Sequence, residues 1–163
     1  TGVQTCALPI YIMMSGSEDD MIKFIDDCRG KFKKLTPEQI AFPRTANDIK
    51  KYSSSSSIYA QKTPIQVRGA LLFNHYVKEK KLTHKYSLIQ NGEKVKFIFL
   101  KKPNTIHENV ISFIQDFPKE LNLDKYIDYE LQFEKAFLEP LKIILDSIGW
   151  SVEKTVNLEL FFS

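Results

Sequence analysis

KTPIQVRGALLFNHYVKEK, residues 62–80, followed by QNGEKVKFIFL, residues 90–100, sets a helix pattern directly ahead of a strand pattern. In the first stretch Val67, Leu71 and Val77 are the inward-facing residues, with Thr63 as the expected cap and Pro64 at the first helical position. Asn91-Gly92 is a strong hairpin turn signal, and residues 95–100 read as the strand after it. Helix and strand in close succession, joined by turn chemistry, predict an α+β fold. Its expected form is mainly helical, with a small antiparallel sheet and a flexible C-terminal peptide.

Downstream, residues 109–113 read as another strand and 118–123 as a short helical turn. Residues 126–148 form the longest predicted helix, with Phe133, Phe137, Leu141, Ile144 and Ile148 as its apolar stripe. Pro140 is expected to kink this helix, or to be tolerated where a neighbour satisfies the freed carbonyl. Trp150 closes the core, and residues 151–157 form a polar spacer. Upstream, the five serines 53–57 read as a flexible loop. Residues 45–52, TANDIKKY, read as a short basic helical turn, and 36–43 as a turn with a short strand. Residues 15–35 form an amphipathic helix. Ser17 can cap it, Glu18, Asp19 and Asp20 favour its start, and Met21, Phe24, Ile25, Cys28 and Phe32 make one buried stripe. The Asp19-Asp20 and Asp26-Asp27 pairs point about 100° apart on such a helix and read as solvated charges, not as metal ligands. Residues 1–10, TGVQTCALPI, resemble the translation of a short-read sequencing adapter. The genuine chain is then expected to begin near Tyr11 and to be a C-terminal fragment of a longer protein.

A chain of 163 residues suits one domain, or two small ones sharing a core. The net charge of +3 hides a strong polarity. Between Arg44 and Lys102 there are thirteen Lys/Arg against three Asp/Glu, whereas the rest of the chain has ten against seventeen. A basic middle between acidic flanks fits a polyanion-binding surface, and equally a solvated lysine-rich face. Cys6 and Cys28 make no metal site with His75, His84 and His107, which lie at no ligand spacing. No run approaches the ~20 apolar residues of a membrane span, and a reducing, cytoplasmic setting fits best.

The last nine residues, TVNLELFFS, place Leu158 and one of Phe161 and Phe162 on the same face of a helical turn. The pattern resembles the sliding-clamp-binding motif of replication proteins, hydrophobic-x-x-aromatic-aromatic, with Thr155 standing where a glutamine is usual. The other reading is a final hydrophobic strand folded back on the core. Three buried apolar side chains at about 1.5–3 kcal/mol each, less the cost of ordering the peptide, leave micromolar-class affinity at best.

Taken in order, TANDIKKY (45–52), KTPIQVRGALLFNH (62–75), QNGEKVKFIFLKKPN (90–104), DKYIDYELQFEKAFLEPL (124–141) and IGWSVEKTVNLELFF (148–162) resemble the C-terminal thumb region of family B DNA polymerases of T-even-type bacteriophages. The likeness spans residues 22–163. It implies residues 11–150 as a thumb domain that grips primer–template duplex, and 151–163 as a tail that tethers the enzyme to a sliding clamp. By position, it implies DNA-backbone contacts from Thr45, Lys51 and Tyr52 of TANDIKKY. Lys62 and Arg68 of the KxPxxxRG block are implied to contact phosphates, and Lys135 of FEKAF to face the duplex. Leu158, Phe161 and Phe162 are the implied clamp anchors. Glu139 stands where a second lysine is frequent.

A thumb must hold DNA of any sequence, which requires phosphate contacts and not base readout. About four neutralised phosphates give a slope of log affinity against log salt of about −3.6. The palm carboxylates that hold two magnesium ions for nucleotidyl transfer have no counterpart here: Asp128 has no partner at useful spacing. The fragment alone is therefore expected to be catalytically inactive, with no cofactor of its own. If phage-encoded, it is expected in the host cytoplasm. A stand-alone clamp-associated DNA-binding accessory protein, and an interaction module for an acidic protein, are the competing readings.

Overall fold

The computed structural model describes residues 2–54 and 62–152, with residues 2–8 as backbone only. Along the chain run helices α1 (Gly2–Ser15), α2 (Glu18–Phe32) and α3 (Pro37–Ile40), then strand β1 (Phe42–Ala46) and a 3-10 turn over Ile49–Tyr52. Helix α4 (Ile65–Glu79), strands β2 (Glu93–Phe99) and β3 (Val110–Phe113), and helices α5 (Tyr129–Phe133) and α6 (Glu139–Asp146) follow. The class is α+β, with a three-stranded antiparallel sheet in the order β1-β2-β3. The chain divides into two units, one of Leu35–Gln132 and one built from the segments before and after it.

In the Leu35–Gln132 unit, α4 lies on the sheet through a close backbone approach. A Cβ on Gly69 would collide with the Ser112 hydroxyl and stand 2.7 Å from the Ser112 nitrogen, so only glycine fits there. The Ser112 hydroxyl donates to the Gln66 carbonyl at 2.9 Å and ties the same contact from the other side. Val67, Ala70, Leu71 and Val77 of α4 are buried. Partners directly opposite in an antiparallel pair share a face. Register pairs Arg44 with Val95, Phe42 with Phe97, and Phe97 with Ser112, which places these residues on the α4 side. The opposite face carries Pro43, Thr45, Lys94, Lys96 and Ile98. Asn74 clamps the chain entering β2, donating to the Ile89 carbonyl at 2.9 Å and accepting from the Ile89 nitrogen at 2.7 Å. Gln132 is fully buried with both ends of its amide hydrogen-bonded: it accepts from the Phe99 nitrogen and donates to the Ile40 carbonyl.

The other unit is built on α2 and the C-terminal helices. Ser17 and Asp20 form a reciprocal capping box at the start of α2. Met21, Ile25, Phe133, Leu141 and Leu145 form the buried cluster, with Cys28, Phe137 and Trp150 packed against it. Burial raises the Cys28 thiol above its ordinary pKa. Phe133 is sandwiched by rings, stacked on Phe137 at 5.1 Å and edge-on to Phe32 at 5.4 Å.

Several sequence expectations need correction. Thr63 does not cap α4: Pro64 itself is the N-cap, its carbonyl accepting from the Arg68 nitrogen at 2.9 Å. A residue before proline is steered away from helical geometry, and the helix starts one step later than expected. Thr45 and Ala46 belong to β1, not to a helical turn, and only Ile49–Tyr52 coils. Asn91-Gly92 turns the chain into β2 without closing a two-residue hairpin. Gly92 (φ 82°) donates to the Ala46 carbonyl at 2.8 Å, and the Asn91 side chain accepts from the Ile49 nitrogen at 3.1 Å. The helix expected over 126–148 is interrupted by a π segment, Glu134–Leu138, directly ahead of Pro140. Proline offers no N–H to the carbonyl four residues back, and the wider turn absorbs that loss. The extra residue in that turn shifts the phase, so Leu145 is buried while Ile144 and Ile148 are 50% and 45% exposed.

Candidate nucleic-acid interface

Four of the residues singled out in the Leu35–Gln132 unit, Thr45, Lys51, Tyr52 and Lys62, lie on the backbone around the end of β1. Ile49 is buried and pins the 3-10 turn, which leaves Lys50 and Lys51 outside. The Lys51 ammonium sits 5.3 Å from the centroid of the Tyr52 ring, a cation–π contact that holds the charge on the rim of the turn. The Gln66 side chain donates to the Thr45 carbonyl at 3.5 Å, so the first turn of α4 lies against the end of β1. That turn carries N–H groups with no intrahelical acceptor, the positive end of the helix dipole. Lys62 precedes it and is exposed, as are Thr45 and Lys51. Thr45, Lys51, Tyr52 and Lys62 thus stand on adjoining pieces of backbone.

Arg68 is placed differently. Its side chain is 17% exposed, and its guanidinium lies 3.5 Å from the carboxylate of Glu108. Glu108 also has Lys102 at 3.9 Å and accepts from the Asn109 nitrogen at 3.1 Å. Asn104 donates to the carbonyls of Lys101 and Glu108, fixing the β2–β3 connection around this ion cluster. Arg68 therefore braces α4 against that connection. Lys135 lies in the other unit, on the π segment, ion-paired at 2.8 Å to Glu139. The hydrogen bond to Glu139 raises the Lys135 pKa. The glutamate that replaces an expected lysine therefore already holds this charge. Of the serine loop, Ser53 donates to the Lys50 carbonyl, and residues 55–57 lie outside the described residues. So do Leu158, Phe161 and Phe162.

Three features had no signal in the sequence reading beyond residue type. Lys94 lies directly across from Thr45, although 49 positions separate them in the chain. Lys96 follows on the same face. Glu120 accepts from the Tyr86 hydroxyl at 2.6 Å and from Lys85, which together with lesser effects hold its carboxyl at a pKa of about 2. This cluster borders a cleft of about 340 Å³ lined by Phe73, Lys85, Tyr86, Glu93 and Asp116. Among the described residues no group of three or more His, Cys, Asp or Glu is placed to hold a metal ion, and no helix is long and apolar enough to cross a membrane.

No family model matches the chain. It is similar to two curated proteins, each described as a DNA-directed DNA polymerase. The protein from Enterobacteria phage T4 is 26% identical over 154 residues, covering 92% of this chain and 17% of its own length. That from Escherichia phage RB69 is 27% identical over 132 residues, covering 78% of this chain and 14% of its own. The chain thus spans under a fifth of the relatives it matches.

Proposed function

From a likeness to phage DNA-directed DNA polymerases that runs over nearly its whole length, we propose that the chain is the C-terminal part of such an enzyme. In this reading residues 11–150 grip primer–template duplex by its phosphate backbone, and residues 151–163 tether the polymerase to its sliding clamp. The observation that carries the reading is the coverage of 92% of the chain in the T4 relative. Thr45, Lys51, Tyr52 and Lys62 provide a solvent-facing basic surface of the kind a sequence-independent grip needs. The nucleotidyl transfer itself, with its two magnesium ions, belongs in this reading to carboxylates elsewhere in the enzyme, and the fragment alone is inactive. Weak tail binding suffices, because a clamp that encircles the same duplex raises the effective concentration to about millimolar.

The test is fluorescence anisotropy of a labelled primer–template duplex titrated with the full chain over a salt series. Binding with a steep negative slope against log salt is expected, and Lys62→Ala should reduce that slope by about 0.9. Arg68→Ala should instead lower thermal stability by about 1–3 kcal/mol, since it strips the buried Glu108 of a partner. Binding that ignores salt would sink the reading. Unchanged binding by Lys62→Ala would remove that residue from the surface.

A further inference from the structure

The face of the β1–β2 pair turned away from α4 has an unusual makeup. Cross-strand pairing sets Thr45 opposite Lys94 and Pro43 opposite Lys96. Directly opposed side chains on a shared face have Cβ atoms about 4.5–5.5 Å apart. Lys94 is exposed and Lys96 half-buried, and among the described residues neither makes an ion pair. Among the described residues of β1 and β2 none on this face is a carboxylate: Glu93, the nearest in sequence, lies on the α4 side and accepts from the Gln90 nitrogen at 2.8 Å. Three other cations of the unit are already matched, Lys85 by Glu120 and Lys102 and Arg68 by Glu108. Ile98, fully buried two residues beyond Lys96, anchors the strand beneath.

We propose that Lys94 and Lys96, together with Thr45, form a phosphate-binding track on this sheet face for the backbone of duplex DNA. The inference rests on the duplex-gripping reading above and adds to it two lysines that the resemblance did not supply. Two lysines separated by two strand positions step by about 6.6–6.8 Å. That equals the axial rise of about two nucleotides along one DNA strand. The track is built on hydrogen-bonded strands, so the ammonium groups start from a fixed spacing. It continues from Thr45 to the turn bearing Lys51 and Tyr52, which the Gly92–Ala46 and Ile49–Asn91 hydrogen bonds hold beside it.

The experiment compares the full chain with Lys94→Gln/Lys96→Gln, Lys94→Arg/Lys96→Arg and a control, Lys78→Gln/Lys80→Gln, at the far end of α4. The readout is duplex affinity against salt, with circular dichroism reporting fold. The Gln pair should flatten the log–log slope by about 1.8, so the affinity lost between 50 and 200 mM salt shrinks about tenfold. The Arg pair should keep the original slope, and the control should change it little. An unchanged slope in the Gln pair, while Lys62→Ala still flattens it, overturns the track and leaves the grip standing. An equal effect from the control overturns it too, as a mere loss of net charge. No duplex binding by the unaltered chain overturns both.

Discussion

Glu120 illustrates how one side chain makes the fold answer to pH. Lys85 and Tyr86 hold its folded-state pKa at about 2, below the ordinary 4.5. A depressed carboxylate contributes stability that is fully present above its unfolded pKa and is lost as pH falls through the folded one. The window is therefore about pH 4.5 down to 2. Thermal melts of the full chain and of Glu120→Gln should differ by a few degrees near pH 7, and the two midpoints should converge towards pH 2. A constant gap at all pH values would show that the residue acts by packing alone. The partners of Glu120 lie 34 and 35 residues upstream, so the pair was invisible in the sequence. Arg68 shows the converse. Its type and block were legible, yet its direction was set by Glu108, forty positions away on a connection whose path no local pattern reveals.

At the scale of elements, what local chemistry controls was legible. The Ser17 cap, the apolar stripe of α2, the extent of α4 and the positions of β2 and β3 all follow from neighbours within a few residues. The pairing of β1 with β2 depends on a connection of 46 residues, and Asn91-Gly92 could not announce which strand lies beside it. The π segment was half legible, because Pro140 signalled a defect without saying how the chain would absorb it. Two glycines separate packing from propensity. Gly69→Ala gains helix propensity of about 1 kcal/mol but thrusts a methyl against the β3 backbone, and a net loss of roughly 1–3 kcal/mol is expected. Gly30→Ala in α2 meets nothing within 4 Å and should stabilise by about 0.5–1 kcal/mol. Denaturant midpoints measure both. Equal signs would show that the α4–β3 contact yields to a methyl group.

For the whole molecule, charge follows architecture. The Leu35–Gln132 unit holds fifteen Lys/Arg and ten Asp/Glu, while the remainder holds eight and ten, so the basic surface resides in the unit that also carries the sheet. On the proposed reading, gripping and tethering should then be separable. Phe161→Ala with Phe162→Ala should abolish binding to the clamp in calorimetry while duplex affinity stays unchanged. Clamp binding retained in that variant would show that the terminal aromatics serve the core instead. The sheet unit is a single contiguous stretch and can close once Gln132 has emerged from the ribosome. The Met21–Ile25 stripe of α2 meets Phe133, Leu141 and Leu145 only after the 107 residues between Ile25 and Phe133 are made. At about 5–20 residues per second, that leaves an apolar helix waiting roughly 5–20 seconds for its partners, long enough for a chaperone to find it.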